Sequence, residues 1–335
     1  MPTCLSHILT YKEQERVYLA VLLYFCGMQQ TAKFHLLVIL TILVWGLTFA
    51  STKVLILHGL SPTSIMLLRF VLAYLGMWVL TRGRLFSRSW RDEGWMLLAG
   101  MTGGSLYFLT ENVALSITTT TNVAIVISGT PLLTALLTHR FVKSEPFRLK
   151  FLLGGLLAVV GIALVVLNGQ FVLSLNPLGD VLTLCASLCW ACYNIVIKKL
   201  SHYSVAFVTR KVFFYGILTI LPVYLFRPFH LPATLWSDPY LWGNLLFLGV
   251  VASLLCFLSW NLCVERLGIM VCANYLYLTP IVALTVAWSV LGEQLTMFSI
   301  GGAALILTGV YIAERKSSTI PTTKDNPLKT NPNPV

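Results

Sequence analysis

The chain has 335 residues, is 57% hydrophobic and only 10% charged, and carries a formal net charge of +11. A soluble domain is about a quarter charged, so water is the wrong solvent for most of this surface. The basic excess does not point to nucleic acid, because Lys and Arg fall between apolar runs, where the positive-inside rule puts them.

The apolar runs approach the roughly 20 residues that a helix needs to cross a hydrocarbon core. Lipid cannot satisfy exposed backbone groups, which leaves helices or a closed barrel. Barrel strands alternate in short segments, whereas the runs here are continuous Leu, Val, Ile and Ala.

Residues 1–33 form an N-terminal segment. Its apolar stretch Val17–Gly27 is too short to span, and Met28, ahead of Lys33, reads as an alternative start. Ten spans follow: Phe34–Leu57, Thr63–Thr81, Trp95–Leu115, Thr119–Thr138, Leu149–Leu167, Leu178–Ile197, Ser204–Leu225, Leu241–Val264, Met270–Leu291 and Phe298–Ala313. The tail, 315–335, is rich in Pro, Thr, Asn and Lys and reads as disordered. Of eight cysteines, Cys185, Cys189 and Cys192 lie on adjacent turns of one span and read as buried apolar filler.

The loops fix orientation. Arg82, Arg84, Arg88 and Arg91 follow span two, Arg140, Lys143, Arg148 and Lys150 follow span four, and Lys198 and Lys199 end span six. Arg266 follows span eight, and Arg315 and Lys316 follow span ten, while the alternate loops hold little beyond Lys53 and Arg227. This puts both termini in the cytoplasm, and a bacterial inner membrane is the expected location.

The landmarks repeat in order. Trp45 and Trp190 each precede a lysine by eight residues, Lys53 and Lys198. Asn112 and Asn261 each precede a proline by nineteen, Pro131 and Pro280. Glu145 and Glu293 follow, then Gly154-Gly155 with Gly161, and Gly301-Gly302 with Gly309. The fold class is therefore an all-α polytopic membrane protein built as two five-helix repeats, 34–168 and 178–314, joined by a linker at 169–177. An odd number of spans inverts the second repeat, the architecture many secondary transporters use for alternating access.

These residues resemble the drug/metabolite transporter superfamily, and within it the EamA-like permeases. The matching features are Trp45-Gly46-x-Thr48-Phe49-x-x-x-Lys53, its echo Trp190-Ala191-x-Tyr193 ending in Lys198-Lys199, Pro131 and Pro280, the Leu291-Gly292-Glu293 turn, and the final Gly301-Gly302 to Gly309 helix. The likeness covers about residues 34 to 315. The first half departs from it, with Lys143-Ser144-Glu145 in place of the Gly-Glu turn. The resemblance implies ten helices, a central cavity shared by the halves, and transport, in the export direction, of amino acids, other metabolites or drugs.

Arg69 is the most informative single residue. A charge deep in a span costs about 2.5–3.5 kcal/mol on insertion scales and faces a cavity or a partner. It reads either as a counter-charge for an anionic substrate group or as a snorkelling or paired structural group. Glu111 could pair with Arg69, exchange a proton, or face water at the interface. Asn112, Asn122, Asn261 and Asn274 are polar groups at membrane depth, interhelical glue or substrate ligands, since such bonds contribute about 0.6 kcal/mol each. Tyr107, Trp260 and Tyr275 line a cavity or fill the core. Pro131 and Pro280, inside spans, loosen the carbonyls of Ile127 and Leu276 and read as paired hinges or static kinks. Arg210 and Lys211 read as snorkelling cations. The glycine pairs suit packing within the fold and could also suit a homodimer.

No phosphate loop, His-rich metal motif or catalytic constellation is present in the sequence, so no cofactor is expected. The partners expected are a small-molecule substrate and the lipid bilayer. The competing readings are a multidrug exporter and an intramembrane enzyme acting on lipid-linked substrates, for which only Glu111 offers a catalytic acid.

Overall fold

The computed structural model describes residues 30–81, 85–117, 126–142, 149–167, 176–226, 238–282 and 296–314, with a few isolated positions between them. The expectations for 1–27, for the 169–175 part of the linker, for Glu145 and Glu293 and for the 315–335 tail lie outside those residues.

The described residues are helical throughout. In chain order the units are α1 (Gln30–Leu57), α2 (Pro62–Leu80), α3 (Trp90–Gly100, a π segment Met101–Ser105, and Leu106–Ile117), α4 (Thr130–Phe141) and α5 (Leu149–Leu167). Then come α6 (Pro177–Lys199), α7 (Val205–Ile220 with a 3-10 turn Leu221–Leu225), α8 (Pro239–Leu246, a π segment Phe247–Leu255, and Cys256–Leu267), α9 (Ile269–Tyr275 and a 3-10 turn Leu276–Leu278) and α10 (Met297–Glu314). Among the described residues five helices are long and apolar enough to cross a membrane: the stretches at Thr31–Thr48, Pro62–Leu80, Pro177–Lys199, Val205–Leu225 and Pro239–Leu267. Shorter apolar helices cover Leu149–Val165, Ile269–Val282 and Met297–Ala313.

Local chemistry starts these helices. The hydroxyl oxygens of Ser61 and Ser204 accept from the Ser64 and Phe207 backbone N–H groups, and the Asn176 and Asp238 side chains do the same for Gly179 and Tyr240. Pro62, Pro177 and Pro239 stand in first turns, where a missing N–H costs nothing. Large apolar side chains point outward, among them Leu75, Trp78, Val79, Leu184 and Leu188. Cys185 is exposed on that outer side and Cys189 and Cys192 are half-buried, so the cysteine stripe is not the buried filler that its spacing suggested.

α5 and α10 make the tightest pairing. A Cβ on Gly154 would stand 2.4 Å from the Gly309 carbonyl oxygen, and one on Gly309 would stand 2.4 Å from the Gly154 oxygen. Gly161 and Gly302 are reciprocal in the same way, at 2.6 and 2.5 Å. Climbing α5 from Gly154 to Gly161 descends α10 from Gly309 to Gly302, so the helices run antiparallel. This also corrects the sequence register by one residue: Gly154 matches Gly302, not Gly301. Gly155 faces Leu132 and Tyr277, and Gly301 has no neighbour within 4 Å.

Elsewhere matched residues touch their own counterparts. Trp45 and Trp190 meet edge to face at 5.4 Å between centroids. Phe70 and Phe213, each nine residues after a capping serine, meet at 5.1 Å. Residues related by a two-fold axis contact one another where they approach that axis.

The two glycines make opposite predictions. Gly309→Ala drives a methyl into the α5 backbone and is expected to cost about 1–3 kcal/mol as overpacking, read as a lower midpoint in a detergent thermal melt. Gly301→Ala meets open space and is expected to leave the midpoint unchanged or raise it by up to about 1 kcal/mol of helix propensity.

Candidate functional site

Arg69 is drawn to the middle of the bundle by α2 packing on the π segment of α8. It is 6% exposed, which rules out snorkelling in this conformation. Its Nε donates to the Ser253 hydroxyl at 2.8 Å, and its guanidinium carbon lies 4.9 Å from the centre of the Phe108 ring. Phe108 packs edge to face on Tyr107 at 5.1 Å, and the Tyr107 hydroxyl donates to a Glu111 carboxylate oxygen at 2.9 Å. Glu111 is 7% exposed. It therefore does not face water, and it makes no ion pair with Arg69, whose guanidinium is turned to Ser253. The two stand close enough for charge attraction.

The repeat is broken at this point. Counted back from Asn112 and Asn261, Phe108 matches Phe257, Gly104 matches Ser253, and Glu111 matches Trp260. The hydroxyl that holds Arg69 and the one buried acid beside it thus each occur in a single repeat. Both π segments occupy this level of their helices. A π turn widens the helix and is frequent at functional sites. On α3 it coincides with glycines: a Cβ on Gly103 would stand 2.4 Å from the Tyr193 ring, and one on Gly104 would stand 2.9 Å from Phe70.

Aromatic rings fill the space between the halves. Trp45 lies 5.3 Å from Trp260 and 5.9 Å from Phe257, and Trp190 lies 5.5 Å from Tyr107. Among the sequence candidates, Trp260 and Asn261 are committed to packing. The Trp260 indole donates to Asn194 at 2.9 Å. Asn261 accepts from the Tyr193 hydroxyl at 2.7 Å and donates to Thr209 at 2.9 Å. Tyr275 is tied to His35 at 2.8 Å, and Asn274 is buried beside it on α9. The side chain of Asn112, and Asn122 altogether, lie outside the described residues. Arg69, Tyr107, Glu111 and Trp260 are therefore brought to one region, with Asn261 next to Trp260 but turned to Tyr193 and Thr209, and with Tyr275 on α9 tied to His35.

The prolines stand at helix breaks rather than in helix interiors. Pro131 is in the first turn of α4, after a turn at Ser128–Gly129. The Ile127 carbonyl, which Pro131 leaves without a donor, accepts from the Thr130 hydroxyl at 2.5 Å. Pro280 follows the 3-10 turn, and the Leu276 carbonyl that it frees accepts from the Thr279 N–H. Broken helices persist at membrane depth only where such substitutes exist.

One cluster was not legible as a unit. Lys211 and Arg210 are each 3% exposed rather than snorkelling. Lys211 lies 2.9 Å from the Glu93 carboxylate in the first turn of α3, ahead of the apolar run that begins at Trp95. Glu93 also accepts from the Tyr215 hydroxyl and the Ser87 N–H, both at 2.5 Å. Burial pushes the Glu93 carboxyl up, but these hydrogen bonds and the Lys211 charge outweigh it and hold the carboxyl below its usual range. Arg210 donates to the Thr81 carbonyl, and Asp92 accepts from Tyr203 at 2.9 Å. Together these bonds lace the α2–α3 connection to α7. Spacing along the chain could not reveal them, because the partners across helices are more than a hundred residues apart.

Among the described residues no group of three or more His, Cys, Asp or Glu side chains could hold a metal ion. The Glu93–Lys211 pair yields a stability prediction. Lys211→Met leaves a buried carboxylate uncompensated and is expected to cost about 3–5 kcal/mol. Adding Glu93→Gln to it is expected to recover much of the loss in the same thermal melt.

The chain matches the model of the EamA-like transporter family over residues 32–167 and again over 177–314. It is 29% identical to an uncharacterized transporter of Archaeoglobus fulgidus over 85% of this chain and 98% of that one. It is 30% identical to a probable amino-acid metabolite efflux pump of Salmonella typhimurium over 82% of this chain and 93% of that one. A solved structure shares the fold at 17% identity, with a TM-score of 0.68, covering 85% of this chain and 96% of the other.

Proposed function

This chain belongs to the EamA-like transporter family, and on that premise we propose that it exports amino acids or related small metabolites by alternating access between two inverted five-helix repeats. That it is an integral membrane transporter and not an enzyme follows from the family and from its relatives. The observation that supports the mechanism is the pseudo-symmetric joint of the halves: Trp45 touches its own counterpart Trp190, and the contact of Gly154 with Gly309 is repeated by that of their counterparts Gly302 and Gly161. Two copies of one element, oppositely inserted, have interchangeable conformations, and exchanging them turns an inward-open state into an outward-open one.

The substrate class draws on relatives from Salmonella typhimurium and Escherichia coli described as probable amino-acid metabolite efflux pumps, and on one from Streptantibioticus cattleyicolor described as a probable terminal-alkyne amino-acid exporter. It suits the site. Arg69 is a fixed cation that a carboxylate would take from Ser253, and a charge-assisted pair is stronger than the neutral hydroxyl contact it replaces. Glu111 is the acid that couples transport to a proton gradient, because closing a carboxyl away from water makes its charged form costly and its protonated form accessible. The breaks at Pro131 and Pro280 are the hinges. On this reading both termini lie in the cytoplasm, on the side to which the basic loops are biased, and the protein sits in a bacterial inner membrane.

Counterflow in proteoliposomes tests this reading: vesicles preloaded with unlabelled amino acids, one pool at a time, are offered labelled ones with and without a pH gradient. Saturable, exchangeable uptake is expected. Arg69→Ala is expected to raise KM at least tenfold, the loss of a hydrogen bond to a charged group. Glu111→Gln is expected to abolish the effect of the gradient while exchange persists. Uptake of unrelated lipophilic cations with none of any amino acid favours the multidrug reading instead.

A further inference from the structure

We propose that the indole N–H of Trp190 is a substrate contact, donating to a carboxylate or carbonyl oxygen of a small solute whose apolar part lies among the rings of Trp45, Tyr107 and Trp260. Trp190 is 6% exposed, and its Nε1 has no hydrogen-bond partner. An indole nitrogen can only donate, and a buried donor left unpaired is rare in folded proteins and calls for an explanation.

The neighbouring polar groups are already committed. The Trp45 indole, the repeat counterpart of Trp190, donates to the Ala252 carbonyl at 3.0 Å. The Trp260 indole is spent on Asn194, the Tyr193 hydroxyl on Asn261, and the Tyr107 hydroxyl on Glu111. Packing therefore holds the Trp190 ring, with Trp45 at 5.4 Å, Tyr193 at 5.2 Å, Tyr107 at 5.5 Å and Trp260 at 5.7 Å, but no protein group uses its donor. Of two matched tryptophans at the interface of the halves, one is satisfied by backbone and the other is free. Tyr107 packs on both Trp190 and Phe108, and Phe108 on Arg69, so the indole and the guanidinium border one aromatic cluster.

This inference rests on the transport reading, and the experiment separates the two. Trp190→Phe keeps an aromatic ring and removes the donor. Labelled amino acids that give counterflow with the unaltered protein are measured against this variant, with thermal melts of Trp190→Phe and Trp45→Phe in parallel. The expected result is a KM raised about tenfold by Trp190→Phe with the maximal rate retained, the loss of one hydrogen bond to a charged acceptor. Its melting midpoint is expected to hold, because no protein hydrogen bond is lost, whereas Trp45→Phe loses the bond to the Ala252 carbonyl and melts lower. A wild-type KM for Trp190→Phe overturns the contact and leaves the donor to water alone. A midpoint lowered as far as that of Trp45→Phe overturns it too, since the indole would then be structural. Absence of saturable counterflow in the unaltered protein, for every amino-acid pool, sinks the transport reading for that class and the contact with it.

Discussion

Hydrocarbon offers no hydrogen bonds, and every feature of this chain answers to that constraint. It is why the described residues are mostly helical and why the breaks at Pro131 and Pro280 are mended locally. Thr130 supplies the donor that Pro131 cannot, and Thr279 closes the Leu276 carbonyl ahead of Pro280. The same rule makes the unmended groups informative. In water an unpaired indole is unremarked; in a dry interior it marks a place where something other than the protein completes the bond.

The two halves are joined by different means at different levels. α5 and α10 meet through backbone, glycine against glycine, with no room for a methyl group. Near the bundle centre the joint is aromatic, with Trp45 on Trp190 and Phe70 on Phe213. At the α2–α3 and α6–α7 connections it is polar and charged, through Glu93, Lys211 and Tyr215. A glycine seam is rigid, because it has no rotamers to change. Rings can slide over one another, and an ion pair can open where water reaches it.

Symmetry explains the scaffold, and departures from it explain the chemistry. Glu111 faces a match in Trp260, Ser253 in Gly104, and the satisfied Trp45 in the unsatisfied Trp190. A perfectly repeated interior would offer a solute two equal orientations. Among the described residues, Glu111 and the free Trp190 donor have no equivalent in the other half, and this asymmetry offers a single orientation, which is what recognition of a solute with distinct ends needs.

Much of this was legible in the sequence. Hydropathy runs marked the helices, and the boundaries of α2, α5, α6 and α10 fall within one or two residues of those expected, because burial in lipid is written in composition alone. Ordered landmarks found the repeat, and the cost of a buried charge singled out Arg69 and Glu111. Only the tertiary structure decided the partners. It turned Arg69 to Ser253 rather than to Glu111, paired Lys211 with Glu93, spent Asn261 and Trp260 on packing, and moved the glycine register by one. The physical reason is common to all four. Hydropathy and spacing are properties of one helix, whereas a hydrogen bond or a glycine contact depends on how two helices distant in sequence are turned about their own axes.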